Sequence, residues 1–157
     1  MTLDDIATPS LRHVADVHVE LGPLIDVGEV LLGRRRVVPI TGGSIRGPGL
    51  EATILPGGAD TQLVTADGTI VVDTRYVALT DAGAHITLAT QGFRHGPPEV
   101  LARLAVGELV GADEYVFRLT ARLEAADQAL AWVNATVFVG SAARRADAVD
   151  YRMYALV

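Results

Sequence analysis

The chain contains no cysteine in its 157 residues. That one absence removes disulfides, thiolate catalysis and cysteine-ligated zinc, and it fits a reducing cytosol. No stretch approaches the roughly 18 apolar residues of a membrane helix. The N-terminus, MTLDDIATPS, is acidic and lacks an apolar run, so it does not read as a signal peptide. Basic charge is also scarce. A formal net charge of −6 argues against a phosphate-backbone partner. The basic runs are Arg34-Arg35-Arg36 and Arg144-Arg145. They could grip a phosphate or a carboxylate, but a solvated turn or strand end is the expected role. The catalytic signatures are missing too: no P-loop, dinucleotide fingerprint, GxSxG elbow or HExxH. His13, His18, His85 and His95 are scattered, and none pairs at metal-ligand spacing. The expectation is a cytoplasmic protein with no metal, no cofactor, no nucleic acid and no membrane partner.

What is present is β-structure, organised around Pro39–Gln62. Two Gly-Gly pairs, Gly42-Gly43 and Gly57-Gly58, flank the short β-prone stretch Leu50–Leu55. Glycine in a strand pattern marks a bulge, a bend or a close backbone approach. Two such corners suggest a sheet turned hard on itself, as in a small barrel.

Residues 1–10 read as a flexible tail, and 11–157 as one β-barrel domain. Ala15, Val17, Val19 and Leu21 share one face of a period-two pattern. Val27–Ile40 reads as a second extended stretch interrupted by Gly33. Thr61–Thr65 is a short strand, and Asp67-Gly68 a hairpin turn into Thr69–Thr80. Ala84–Phe93 and Tyr115–Glu124 follow, with Trp132–Gly140 and Val149–Leu156 as the last strands. The pattern breaks once. Pro97-Pro98-Glu99 opens a helical stripe of Val100, Leu101 and Leu104, and Gly107 can close it. The fold class is therefore mainly β: an antiparallel closed barrel of about 8–10 strands, with one short helix near 98–106 that could plug an end.

Several segments resemble a known family. They are PITGG (39–43), LPGGADTQ (55–62), DTRY (73–76), RHGPPEV (94–100), YVFR (115–118) and WVNATVFVG (132–140). In order and spacing they look like the domain-of-unknown-function 3237 family, over nearly the whole chain from Val17 onward. The resemblance implies a barrel of the allene oxide cyclase and dirigent type, and no particular activity. Two positions depart from the family's pattern. Thr61 stands where an aromatic often follows the GGAD aspartate. Leu123-Glu124-Ala125-Ala126 replaces an aromatic-Glu-Thr-Gly run.

Candidate site residues are polar side chains within apolar strands. Asp60 and Gln62 share a face, and neighbouring Arg75 and Tyr76 point to opposite sides. Arg118 and Glu124 share a face, as do Trp132, Asn134 and Phe138. A lumen lined by such groups is an apolar pocket with a few fixed polar contacts. There an arginine or Asn134 would polarise a carbonyl. Asp60 or Glu124 would move a proton α to it, and Tyr76 or Tyr115 would donate a proton or a hydrogen bond. The expected catalytic set is Asp60, Glu124, Arg75 and Tyr76, and the binding set is Gln62, Tyr115, Arg118, Trp132, Asn134 and Phe138. The preferred reading is a cofactor-independent lyase, isomerase or cyclase acting on a small apolar carbonyl compound. Its alternatives are a non-catalytic carrier of a hydrophobic ligand and a structural module with a filled barrel. An apolar outer face would add a homodimer.

Overall fold

Alternating apolar residues commit most of the chain to strands, and glycine and aspartate turns fold those strands back on one another. The computed structural model describes residues 1–157. Ten strands form in chain order: β1 (Leu11–Leu21), β2 (Ile25–Val30), β3 (Gly33–Arg46), β4 (Ala52–Ile54), β5 (Ala59–Val64), β6 (Ile70–Leu79), β7 (His85–His95), β8 (Val116–Ala125), β9 (Phe138–Arg144) and β10 (Ala148–Leu156). One α-helix, α1 (Pro98–Ala105), lies between β7 and β8. Residues 1–10 are exposed and hold only a single 3-10 turn, Leu3–Asp5.

The strands close into an eight-stave antiparallel barrel. From β1 the order runs through β10, β9, β8 and β7 to β6. β4 and β5 then share one stave. Both pair with β3 on one side and with β6 on the other. Pairing of β3 with β1 closes the ring. β2 pairs only with β3 and extends from the barrel as a hairpin. The single extended stretch expected over Val27–Ile40 is thus two strands, reversed at Leu31-Leu32 ahead of Gly33.

The glycine pairs act as the corners the sequence suggested. At Gly43 the backbone takes φ 134°, and a Cβ there would lie 2.1 Å from the His18 carbonyl oxygen of β1. Only glycine admits that approach. The register of β1 on β3 slips beside it, where Glu20 faces Gly42 but Leu21 faces Ile40. The Gly57-Gly58 corner separates β4 from β5 within their shared stave.

The first half of one expected strand, Trp132–Gly140, is helical. Gln128–Ala135 forms a 3-10 helix, and β9 begins only at Phe138. The Asp127 carboxylate accepts from the Ala129 N–H at 2.8 Å and caps the segment. Asn134 holds it to the end of β8 by bonding both the N–H and the C=O of Ala125 at 2.9 Å. That local capping overrides the β-propensity of Trp132 and Val133.

The two barrel ends differ in chemistry. One is filled by apolar side chains, among them Val14, Ile45, Ile54, Ile86, Leu123, Phe138 and Met153, all almost fully buried. α1 closes the other. It buries Val100 and Leu104 in the core, and Leu101 reaches the β5–β6 turn at Gly68. Arg103 ties the segment after it by bonding Glu108 and Glu114. No helix is long and apolar enough to cross a membrane.

Candidate functional site

The polar interior lies at the α1 end. Its builders are strands whose alternation runs unbroken. β7 turns Ile86, Leu88, Thr90, Gly92 and Arg94 inward, with no register shift against β6 or β8. β6 turns Ile70, Val72, Thr74, Tyr76 and Ala78 inward. β5 contributes Asp60 and Gln62, which are 8% and 5% exposed.

Asp60 sits at the centre of a hydrogen-bond chain. Its Oδ2 accepts from Gln62 Nε2 at 2.6 Å. Its Oδ1 accepts from the Thr74 hydroxyl at 2.9 Å and from the Asp73 N–H at 3.2 Å. Gln62 Oε1 in turn accepts from Arg36 Nη2 at 2.9 Å. A carboxylate offers about four acceptor positions. Three are used, so one remains for a further donor.

Across the lumen the Tyr76 and Tyr151 hydroxyls meet at 2.5 Å. Two hydroxyls carry two protons, and their mutual bond uses one. The other O–H is available to a molecule in the cavity. Burial pushes both phenols up, and proximity of the two reinforces the rise at Tyr76; Tyr151 reaches about 12. Both therefore stay protonated at neutral pH and act as donors rather than bases. Asp60, Thr74, Thr90, Tyr76 and Tyr151 line one cavity with Val19, Leu21, Ile40, Val72, Phe117, Leu119 and Val149. Its volume is about 30 Å³, room for about two water molecules.

Beyond the cavity, towards α1, the interior positions are arginines. Arg94 lies with its Cζ 5.7 Å from the Phe117 ring centroid, and its Nε is buried without an acceptor. Arg36 Nε is likewise buried and unpartnered. Arg144 Nη1 bonds the Arg145 carbonyl and, at 2.9 Å, the Ala148 carbonyl. The Tyr115 hydroxyl accepts from the Arg144 N–H at 2.8 Å. Desolvation lowers the pKa of all three guanidinium groups, most strongly that of Arg94, which comes down to about 10.

The structure thus brings Asp60, Gln62, Tyr76 and Tyr115 to the lumen side and places the other expected residues elsewhere. Arg75 lies on the outer wall, because the inward face of β6 holds the even-numbered residues; it pairs there with Asp73 at 2.5 Å. Arg118 and Glu124 are also outside, because β8 turns Phe117, Leu119, Ala121 and Leu123 inward. Arg75 and Glu124 border an open hollow of about 860 Å³ on that wall. It is larger than the lumen cavity but holds no buried polar group without a partner. Phe138 is fully buried at the apolar end, with the Trp132 ring 5.9 Å from its own. Asn134 is exposed and fixes the 3-10 segment, so it does not line the lumen.

The guanidinium expected beside Asp60 is present, supplied by Arg94, Arg36 and Arg144 instead of Arg75 or Arg118. Two of these come from the basic runs expected to be solvated. Parity could have found Arg94, since it continues the row of Thr90 and Gly92. Arg36 continues the row of Val38 and Ile40.

The family described as "Protein of unknown function (DUF3237)" matches residues 9–156. The chain belongs to the DUF3237 family. A relative from Rhodopseudomonas palustris (strain TIE-1), named UPF0311 protein, is 36% identical over 144 residues, covering 90% of this chain and 94% of the relative. A solved β-barrel-like protein from Acinetobacter baumannii AYE is 41% identical with a TM-score of 0.85, covering 98% of this chain and 99% of that one. A more distant structure, described as an enzyme from Penicillium herquei, is 19% identical with a TM-score of 0.71 over 97% of both chains. That likeness establishes the shared barrel fold.

Proposed function

We propose that this DUF3237 barrel is a cofactor-independent enzyme that moves a proton on a small carbonyl compound held in the lumen. One observation carries the reading. A carboxylate with one unused acceptor position and a hydroxyl pair with one unused proton line the same, otherwise mostly apolar, cavity. Pockets of this composition orient small molecules by a few fixed polar groups.

The chemistry balances without a co-reactant. Asp60 accepts a proton from the carbon α to the carbonyl. The C–H electron pair becomes the C=C bond of an enolate, and the carbonyl π pair moves onto oxygen. The free hydroxyl of the Tyr76–Tyr151 pair donates to that oxygen, with developing charge stabilised by fixed donors in a dry site. Return of the proton from Asp60 to a different carbon completes an isomerisation. If instead a leaving group at the β-carbon departs with its bonding pair, the reaction is a lyase elimination. Where the carbonyl is conjugated to a C=C, attack by an internal hydroxyl on the β-carbon closes a ring, the C=C pair moves to form the enolate, and the hydroxyl's proton passes through Asp60 to the α-carbon. The cavity has room for about two waters, so a substrate enters only if the side chains at the arginine end move aside.

The test is native mass spectrometry of the purified protein after incubation with the small-molecule extract of its source cells. The expected result is an added mass, lost on denaturation, whose composition includes an enolisable carbonyl, and retained by Asp60→Asn. A bound molecule without such a carbonyl, or no bound molecule, contradicts the reading.

A further inference from the structure

The chain has no lysine; every one of its 13 Lys+Arg residues is an arginine. Three of them point inward at one end of one small barrel, Arg94 buried and Arg36 and Arg144 half-buried, where burying a charge without a partner is costly. They are not equivalent. Arg36 bonds Gln62, and Gln62 bonds Asp60, so a carboxylate stands behind it. Arg144 bonds turn carbonyls and feels Asp147 as well as Asp60. Arg94 has no such arrangement. It is 6% exposed, its Nε has no acceptor, and it enters none of the chain's ion pairs. Its one close side-chain partner is the face of Phe117. Phe117 itself lines the cavity, so the guanidinium stands at the cavity's α1 end.

Asp60 is the one carboxylate with a buried side chain in the barrel; Arg36, Arg94 and Arg144 all feel it, but Arg36 also has Asp26 nearby and Arg144 also has Asp147, whereas Arg94 has no second carboxylate. No carboxylate bonds Arg94 directly, and its planar fork suits two carboxylate oxygens. Within the chain Arg94 has the Phe117 face and the charge of Asp60 as compensation, and no direct acceptor for its Nε.

We propose that the α1 end of the lumen is a carboxylate-binding site, and that Arg94 is its anchoring residue, with Arg36 beside it. Resting on the reading above, this narrows the substrate class. The carbonyl compound carries a carboxylate, seated at Arg94, with its reactive carbonyl directed down the lumen towards Asp60 and the tyrosine pair. The substrate is then an anionic keto or enone acid rather than the small apolar carbonyl compound expected from the sequence.

The test measures binding, with no turnover required. Melting temperature is followed against acetate and benzoate, with acetamide and benzamide as neutral counterparts of the same shape, at fixed ionic strength in low-chloride buffer. The carboxylates are expected to raise the melting temperature saturably and the amides are not. In Arg94→Met the apparent affinity for benzoate falls roughly thirtyfold or more, the loss expected when one member of a buried charge pair is removed. Without ligand, Arg94→Met is expected to melt higher than the wild type, because an unpaired buried charge has been replaced by an apolar side chain. Equal stabilisation by acid and amide, survival of the benzoate effect in Arg94→Met, or a lower ligand-free melting temperature for that variant would each overturn the proposal. Loss of the enzymatic reading alone would not: carboxylate binding through Arg94 with no proton transfer leaves a carrier with the same anion site.

Discussion

The hydroxyls of Tyr76 and Tyr151, 75 positions apart in the chain, face each other at 2.5 Å inside the barrel. The contact exists because β6 and β10 lie on opposite sides of a closed ring and both point these residues inward. It makes a donor that stays neutral in a cavity whose remaining lining is mostly apolar.

Removing one hydroxyl strands the other. Tyr151→Phe is expected to cost roughly 1–2 kcal/mol of stability, the range for leaving a buried polar group unpaired. Turnover is expected to fall about 100-fold, as for loss of one oxyanion donor. Denaturant unfolding and initial rates check the two separately.

The outer wall supplies the control. Glu124 bonds Arg122 at 2.8 Å and the Thr87 hydroxyl at 3.4 Å, in solvent. Glu124→Gln is expected to leave both turnover and melting temperature unchanged. A loss of turnover in that variant would move the chemistry to the outer hollow bordered by Arg75.

Gly43 tests the corner that closes the barrel. A Cβ there meets the His18 carbonyl oxygen at 2.1 Å, on a backbone at φ 134°. Gly43→Ala is expected to destabilise by at least about 2 kcal/mol, because strain and a backbone clash coincide. Hydrogen exchange should show the β1–β3 amides losing protection first.

Asp150 gives a pH dependence. Burial raises its pKa, but hydrogen bonds from His18 and Arg145, and the charge of those groups, outweigh burial and hold it below 3.8. A lowered carboxylate pKa contributes stability that is present above the unfolded value and lost as pH falls through the folded one. Asp150→Asn is therefore expected to be less stable than the wild type at pH 7, by about 0.2–1 kcal/mol for a partly exposed pair. The gap should close as the pH falls below about 4. Melting curves at pH 7, 5 and 3 check the sign.

The barrel was legible in the sequence because alternation survives wherever pairing is regular. β6, β7 and β8 run without a bulge, and the α1 stripe opened by Pro97-Pro98 emerged where proline and helical spacing placed it. Residues 128–135 were not legible as a helix. A single capping aspartate and an asparagine clamped to Ala125 outweighed the β-prone Trp132 and Val133. The site was half legible. Asp60, Gln62 and Tyr76 stood out as polar groups in apolar rows. Arg36 and Arg144 were masked by their arginine neighbours, which made basic runs that look solvated. Only the closed ring reveals that one arginine of each run turns inward. Arg94 was masked by His95 and the glycine and prolines after it, which draw attention to the helix entry.

The central claim is that Asp60 removes a proton from a carbonyl compound in the lumen. Its most direct measurement is deuterium incorporation at the α-carbon of a panel of β-keto and enone acids, followed by proton NMR in D2O with wild type and Asp60→Asn. The account predicts exchange above the buffer rate for at least one compound with the wild type. It predicts a loss of roughly 100-fold or more in a folded Asp60→Asn variant, the usual weight of a general base. Exchange at the same rate in both proteins would contradict it.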